Sequence, residues 1–351
     1  MKRTTTFVSN FLFAVLACLF AGTAQAQDRL YTDEFPLGDV TLLDGPLKKA
    51  RDLNISVLMK YDNDRLLAPY LKEAGLTPKG KSYPNWDGLD GHVGGHYLTA
   101  LAINAATGSK ECQQRLDYWI SELQACADAN AKNHPEWGKG YVGGVPGSDR
   151  IWSAFKKGDF GPYSGAWVPF YNLHKMYAGL RDAWVYCGNE QAKALFLGFC
   201  DWAIELTAGL SDAQMERALD TEHGGMNEVL ADAYAITGEQ KYLDAAEAQL
   251  NYLLGVNPVA TSFFTGYGTV SPENPHHRPS MAAGKAMKGM LVGGVNSNLE
   301  DSAAKAYCAD SAPALCYVDN SESYSTNEIT IYWNSPLTYR LTLTDPSVAP
   351  A

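Results

Sequence analysis

Between Tyr317 and Ser335 the chain reads YVDNSESYSTNEITIYWNS, and the group in it best suited to acid–base chemistry is Glu328. Polar and aromatic residues surround it at Tyr317, Asp319, Tyr324, Thr330, Asn334 and Ser335. Hydrolysis by a carboxyl pair needs one protonated group to donate to the leaving oxygen and one ionised group to activate water. The two stand roughly 6.5–9.5 Å apart when a water must fit between them. The nearest formal second member is Trp86-Asp87-Gly88-Leu89-Asp90, where two aspartates three apart around a glycine can present both carboxylates to one water. Each feature also has a purely structural reading. Ser325, three residues before Glu328 and ahead of an apolar run, spells a capping box, and Asp87 and Asp90 can cap turns and the following helix.

His92, His96, His174 and His223 do not spell a metal site. The His-x3-His pair follows Gly91 and lacks the glutamate and downstream ligand of a zinc helix. Polar contacts to a ligand or hydrogen bonds inside the core fit them better. Glu222 and Glu228 flank Gly224-Gly225 where a helix should begin, a place where the helix dipole favours acidic residues regardless of function.

Helices must position these groups, because helical periodicity dominates the chain. Leu116, Trp119, Leu123 and Cys126 form one apolar stripe and Leu195, Phe199, Trp202 and Leu206 another, each with spacings of three and four. Breaks fall at Gly75, Gly108, Gly188-Asn189 and Gly238, where helix C-termini are expected. Starts are signalled by Asp44-Gly45-Pro46 and by Ser211 with Gln214 three residues on. Strand-like alternation is confined to short pieces such as Val40 to Leu43. About a dozen helices with short turns and longer Gly/Pro-rich loops read as packed α-hairpins. The loops at 133–150 and 261–298 are long enough to be functional.

Lys2 and Arg3, an apolar run from about Phe11 to Ala21 and the small-residue site Ala24-Gln25-Ala26 describe a secretory leader over residues 1–26. The run falls short of the roughly 20 residues that span a bilayer. The net charge is −11, two units more negative once Lys2 and Arg3 leave with the leader, and no basic cluster remains to track phosphates. Nucleic acid and anionic membrane are therefore excluded as expected partners, and a secreted or periplasmic location is expected. Six cysteines would survive processing. Cys112 and Cys126 share one predicted helix and stand roughly 21 Å apart, beyond disulfide reach. Cys308 and Cys316 flank an irregular loop and are the expected local disulfide.

Two family resemblances divide the chain. From about Phe35 to Leu243 it resembles the family-127 glycoside hydrolases, the β-L-arabinofuranosidase-like group. The motifs are LLDGPLKKARDLN (42–54), WDGLDGHVGGHYLTALA (86–102), YNLHKMYAGLRDA (171–183) and TEHGGMNEVLADAYAITGEQKYL (221–243). That resemblance implies sugar contacts by His174 and His223, with Trp86 to His96 near the pocket. The long remainder of that family, with its acid/base glutamate and zinc-bound cysteine nucleophile, has no counterpart among these residues.

From about Leu250 the chain resembles the closing segment of the family-9 glycoside hydrolases, the inverting cellulases. It carries LNYLLGVNPVATSFFTGYGTVSPENPHHRPS, then GMLVGGVNSNLEDS, then the Tyr317 segment. This resemblance implies Glu328 as general acid, His276 and Arg278 as the His-x-Arg that grips glucosyl hydroxyls, and Asp319 as a further substrate-side anchor. Val270 stands where that family has Asn, Lys or Arg, and the family's Asp-Ala-Gly-Asp base motif does not occur. Calcium is common in family 9, but no ligand set for it is legible here, and no other cofactor is expected.

Both families build (α/α)6 toroids, so the expectation is an all-α, (α/α)6-toroid-like fold, as an incomplete or hybrid ring. It would comprise a leader (1–26), a family-127-like segment (27–245), a family-9-like segment (246–342) and a tail (343–351), joined within a helix from about Lys241 to Leu254. The implied function is secreted hydrolysis of plant cell-wall polysaccharide or its oligosaccharides, most like an inverting β-1,4-glucanase. The alternatives are a catalytically silent carbohydrate-binding remnant, an arabinofuranosidase-like hydrolase, or a join made in gene assembly. Eight Trp and twenty Tyr suit sugar stacking, although most are expected in the core.

Overall fold

The computed structural model describes residues 36–330, apart from 85–87, 220 and 223–224, together with Asn334. Trp86, Asp87, His223, the leader and the C-terminal tail lie outside the described residues. Within them the fold is all-α, with three isolated β-bridges and no ladder.

Sequential helices form the larger part. Helices α1 (Pro46–Leu58) and α2 (Asn63–Glu73) pack on α3 (His92–Ala106) and α4 (Lys110–Asn133) respectively, and α3 and α4 form a hairpin. After the short α5 (Ser148–Phe155) and α6 (Gly161–Ser164) come α7 (Pro169–Cys187) and α8 (Glu190–Thr207). The short α9 (Asp212–Leu219) precedes α10 (Met226–Thr237) and α11 (Gln240–Leu253). The helices stand in a row, with α1, α3, α7 and α10 forming one layer and α2, α4 and α8 lining the other.

Local chemistry explains the elements. Pro46 opens α1 at its first position, and the Ser109 and Asn189 side chains accept from the amides of Cys112 and Ala192 to start α4 and α8. At α9 the Ser211 amide donates to Gln214 Oε1 at 2.9 Å, the half of a capping box that reaches back. Gly75, Gly108, Gly188 and Gly238 all take left-handed φ at or just beyond helix ends. Both apolar stripes are buried along their whole length, each large side chain contributing about 2 kcal/mol. The closest crossing is α3 on α7. A Cβ on Gly95 would stand 2.1 Å from the Lys175 carbonyl, and one on Gly179 2.7 Å from the Gly95 oxygen, so only hydrogens fit there.

Most described tryptophans are core, Trp119, Trp137, Trp152, Trp184 and Trp202 among them, whereas Trp167 is exposed. The alternation from Val40 to Leu43 does not make a strand. Val40 and Leu43 are solvent-exposed and no partner strand pairs with them, so the pattern lacks the half-buried surface that would fix it.

The rest of the chain packs on a second, smaller core. Phe263, Phe264, Leu291 and Val292 are buried there, with Tyr252, Leu253, Tyr317 and Ile329 against them. Short helices α12 (Arg278–Ala283), α13 (Ser302–Cys308) and α14 (Tyr324–Asn327) frame it. Apart from those inside helix α11, the hydrogen bonds described for residues 251–334 close within that segment. Helix α11 serves both cores, with Tyr242 buried in the first and Tyr252 and Leu253 packed on the second. No helix among the described residues is long and apolar enough to cross a membrane.

Candidate functional site

Glu328 sits at the C-terminal end of α14 in extended conformation, half-buried. Three backbone links fix it. It bridges His276 in parallel, the His276 amide donates to the Asn327 carbonyl at 2.8 Å, and the Gly293 amide donates to the Glu328 carbonyl at 3.0 Å. The capping box read from Ser325 and Glu328 is not formed. Ser325 lies inside α14, where its hydroxyl and amide both donate to Asp301 Oδ2, and Glu328 follows the helix instead of entering one.

His276 Nδ1 stands 2.6 Å from the Ser321 carbonyl. A carbonyl only accepts, so the proton is on Nδ1 and Nε2 is left as an acceptor in the neutral ring. The partly exposed Tyr324 ring lies edge-on to it at 6.3 Å. Arg278 opens α12 and is exposed. The structure therefore brings Glu328, His276 and Tyr324 to one surface, with Arg278 two residues from the histidine.

Asp319 has both oxygens engaged by the protein. It accepts from the amides of Glu273 and Asn274 at 2.8 and 2.9 Å and from Asn327 Nδ2 at 2.9 Å. That clamp seats the loop before His276 against the end of α14, next to Glu328. Asp301 does the same from α13, accepting from Ala304 N, Ser323 Oγ and both Ser325 donors. Burial pushes its pKa up, but the Ala304 amide and the Ser325 hydroxyl and amide outweigh that and hold it at about 2.

Asp90 lies elsewhere in the contact pattern. It precedes α3, its carbonyl accepts from Asn172 Nδ2 at 2.7 Å, and its carboxyl is raised by burial with Lys72 and His92 nearby. None of the described contacts of Glu328 reaches it. Asp87 falls outside the described residues, so this stretch is not seen as a pair.

A second polar cluster lies between α7 and α10. His174 Nε2 is 3.3 Å from Glu228 Oε2, and Arg181 reaches Asp232 at 2.7 Å, Asp182 at 2.9 Å and Glu228 at 3.7 Å. Thr99 donates to the other oxygen of Asp182 at 2.7 Å. The His174 hydrogen bond is the main cause that holds the Glu228 pKa below its ordinary value. His96 is pushed down by burial, with Lys175, His92 and His174 adding repulsion. Among these groups runs a cavity of about 10 Å³ lined by His174, Tyr177, Arg181, Glu228 and Asp232, room for one water. Arg181, Asp182 and Asp232 were not singled out from sequence. His174 and Arg181 are seven apart on α7, and Glu228 and Asp232 four apart on α10, so each pair shares a helix face. That opposed charge at helical spacing was the signal available.

Glu222 is buried beside this cluster. It accepts from Tyr163 Oη at 3.0 Å and from the amides of Phe170 and Tyr171 at the start of α7. Burial raises its pKa to about 7, against the pull of those three donors.

Cys308 and Cys316 are free thiols in the structure, so the expected disulfide is not closed. The Cys316 thiol points at the carbonyls of Ser311 and Ala312. Cys112 and Cys126, both free, lie on α4 as expected. No group of three or more His, Cys, Asp or Glu among the described residues is placed to hold a metal ion.

The family model for the β-L-arabinofuranosidase, GH127 catalytic domain matches residues 39–290. The chain belongs to this family. In this GH127 chain the match runs on to residue 290, past Leu243 where the quoted motifs end. The family-9 likeness is also present. The chain is 40% identical over 117 residues to a cellulose 1,4-β-cellobiosidase of Acetivibrio thermocellus, covering 32% of this chain and 13% of that protein. It is 41% identical over 116 residues to a cellodextrinase of Butyrivibrio fibrisolvens, covering 32% and 21%. The alignments thus span 13% and 21% of these two relatives. Among solved structures, the GH family 9 endoglucanase J30 is similar with a TM-score of 0.41 at 22% identity, over 70% of this chain and 53% of that one.

Proposed function

We propose that the protein hydrolyses β-1,4-linked glucan, with Glu328 as the proton donor to the leaving oxygen and His276 and Arg278 as substrate contacts. The observation that carries this reading is the parallel bridge that holds Glu328 beside His276. A half-buried carboxyl next to an imidazole acceptor and an exposed tyrosine ring can bind a pyranose face and deliver a proton to its bridging oxygen. The family-9 relatives, described as a cellobiosidase and a cellodextrinase, support glucan as substrate. Activation of water requires a second carboxylate, and Asp87 or Asp90 is the proposed supplier. Export through the 1–26 leader would bring the enzyme to polysaccharide outside the cell.

The test is release of reducing ends from soluble β-1,4-glucan by the purified chain, compared with Glu328→Gln. Removing a general acid should lower turnover on unactivated glucan by at least about a hundredfold. Turnover unchanged by the substitution would sink the assignment. Binding of the glucan without turnover in either protein would instead support a carbohydrate-binding remnant.

A second reading rests on the GH127 match and on the His174–Glu228 contact. In it the solvent-facing edges of His174 and Glu228, and not the small cavity behind them, contact an arabinofuranosyl ring. Release of arabinose from a β-L-arabinofuranoside, lost in His174→Ala and retained in Glu328→Gln, separates the two.

A further inference from the structure

Cys308 ends α13 and Cys316 follows the 3-10 turn Pro313–Leu315, so the two thiols close a loop of seven intervening residues. Each is only 3% exposed, and the Cys308 thiol lies within hydrogen-bonding reach of Cys316. The loop is already folded back on itself. The Ser311 amide donates to the Cys308 carbonyl at 2.9 Å, and the Cys316 amide donates to the Pro313 carbonyl at 3.2 Å. Two buried thiols at the ends of so short a loop need little backbone movement to join. Neither has a role in the chemistry proposed above, and the other described cysteines sit apart from them on α4, α7 and α8.

The location gives the bond a mechanical consequence. Residue 316 is tied to Asn296 by an amide-to-carbonyl bond of 2.9 Å, and the next residue, Tyr317, donates its hydroxyl to Asn327 at 2.8 Å. At the other end of α13, Asp301 grips Ser323 and Ser325. Helix α13 and the segment that begins at Tyr317 are therefore both tied to the stretch that carries Glu328, and Cys308 and Cys316 stand where the loop between them begins and ends.

We infer that Cys308 and Cys316 form a redox couple whose oxidation staples α13 to the segment that begins at Tyr317 and stiffens the stretch that carries Glu328. The reaction needs a small-molecule disulfide as oxidant. One thiol, as thiolate, attacks a sulfur of that disulfide and expels one thiolate, leaving a mixed disulfide on the protein. The second cysteine attacks the protein sulfur and expels the other thiolate. Two protein thiols lose two electrons and two protons, and the oxidant becomes two thiols. The inference stands apart from the proposed glucanase activity, since its readouts are mass, exchange and melting.

The purified full chain is equilibrated with excess glutathione disulfide or with a reducing phosphine, then denatured, alkylated and digested with trypsin. Cleavage after Lys305 leaves both cysteines in one peptide that runs to Arg340. In the oxidised sample that peptide should escape alkylation and be 2 Da lighter than its reduced form, while the described cysteines on α4, α7 and α8 are alkylated. Oxidation should raise the Tm by about 4 °C, from the closure of a short loop, and should slow amide exchange over residues 317–328. Cys308→Ser with Cys316→Ser should show neither change. Full alkylation of both thiols after oxidation, or a bond from either to another cysteine, would overturn the inference. So would equal slowing of exchange in the double serine variant.

Discussion

Glu222 makes the stability of this protein depend on pH in a direction opposite to that of most carboxylates. Its pKa rises from 4.5 to about 7 because burial opposes the charged form, a difference of about 3 kcal/mol between its protonation states. The folded chain therefore binds the proton more tightly than the unfolded chain. The stabilisation is fully present below pH 4.5 and is lost as pH rises through about 7. Glu222→Gln keeps a neutral acceptor for Tyr163 Oη and the Phe170 amide and removes the ionisation. Urea unfolding followed by the fluorescence of the buried tryptophans, at pH 4.5 and pH 7.5, gives the stabilities of both proteins. Subtracting them cancels the opposing contributions of Glu228 and Asp301, whose pKa values are lowered. The advantage of the glutamine protein should grow by about 3 kcal/mol between the two pH values. An advantage that is the same at both would refute the assignment of a protonated, buried Glu222.

Three further substitutions probe the framework. Gly95→Ala places a methyl 2.1 Å from the Lys175 carbonyl and should lower stability by about 3 kcal/mol or abolish folding, read by thermal unfolding and soluble yield. Arg181→Ala leaves the buried Asp182 and Asp232 carboxylates without their counter-charge and should cost about 3 kcal/mol at neutral pH. Circular dichroism melts of wild type and variant read that loss. Asp301→Ala unties α13 from Ser323 and Ser325 and should cost about 2 kcal/mol near pH 7. Because the Asp301 pKa is depressed to about 2, its contribution persists above pH 3.8 and fades as pH falls toward 2. Acid titrations of wild type and variant should therefore converge at the acid end.

Local features were legible in the sequence wherever one short-range interaction decides them. Gly188 and Gly238 end helices because a left-handed residue satisfies the last carbonyls, and Leu116, Trp119 and Leu123 share a face whatever packs on them. The same local rule failed at Ser325, where an acceptor 24 residues away in sequence, Asp301, took the donors that the capping box would have used. It failed again at Val40 to Leu43, where alternation lacks a partner surface. Within the candidate site, the adjacency of His276 and Glu328 followed from the family-9 motifs. The Arg181 cluster and the Glu222 socket did not, because each joins residues about 50 positions apart and depends on how α7 meets α10 and its preceding loop. Asp90 and Glu328 are the converse case, paired by chemical need and not by any described contact.

Helix α11 sets a condition on how such a chain can change. Tyr242 and Tyr252 anchor different cores on the same rod, and an α-helix turns about 100° and climbs about 1.5 Å per residue. Inserting or deleting a single residue between them would swing the whole Glu328 segment about a quarter-turn around the first core, whereas a change of seven would return it close to its original bearing, about 10 Å further along. Any exchange of material across this helix preserves the relative heading of the two cores only in near-multiples of the helical period.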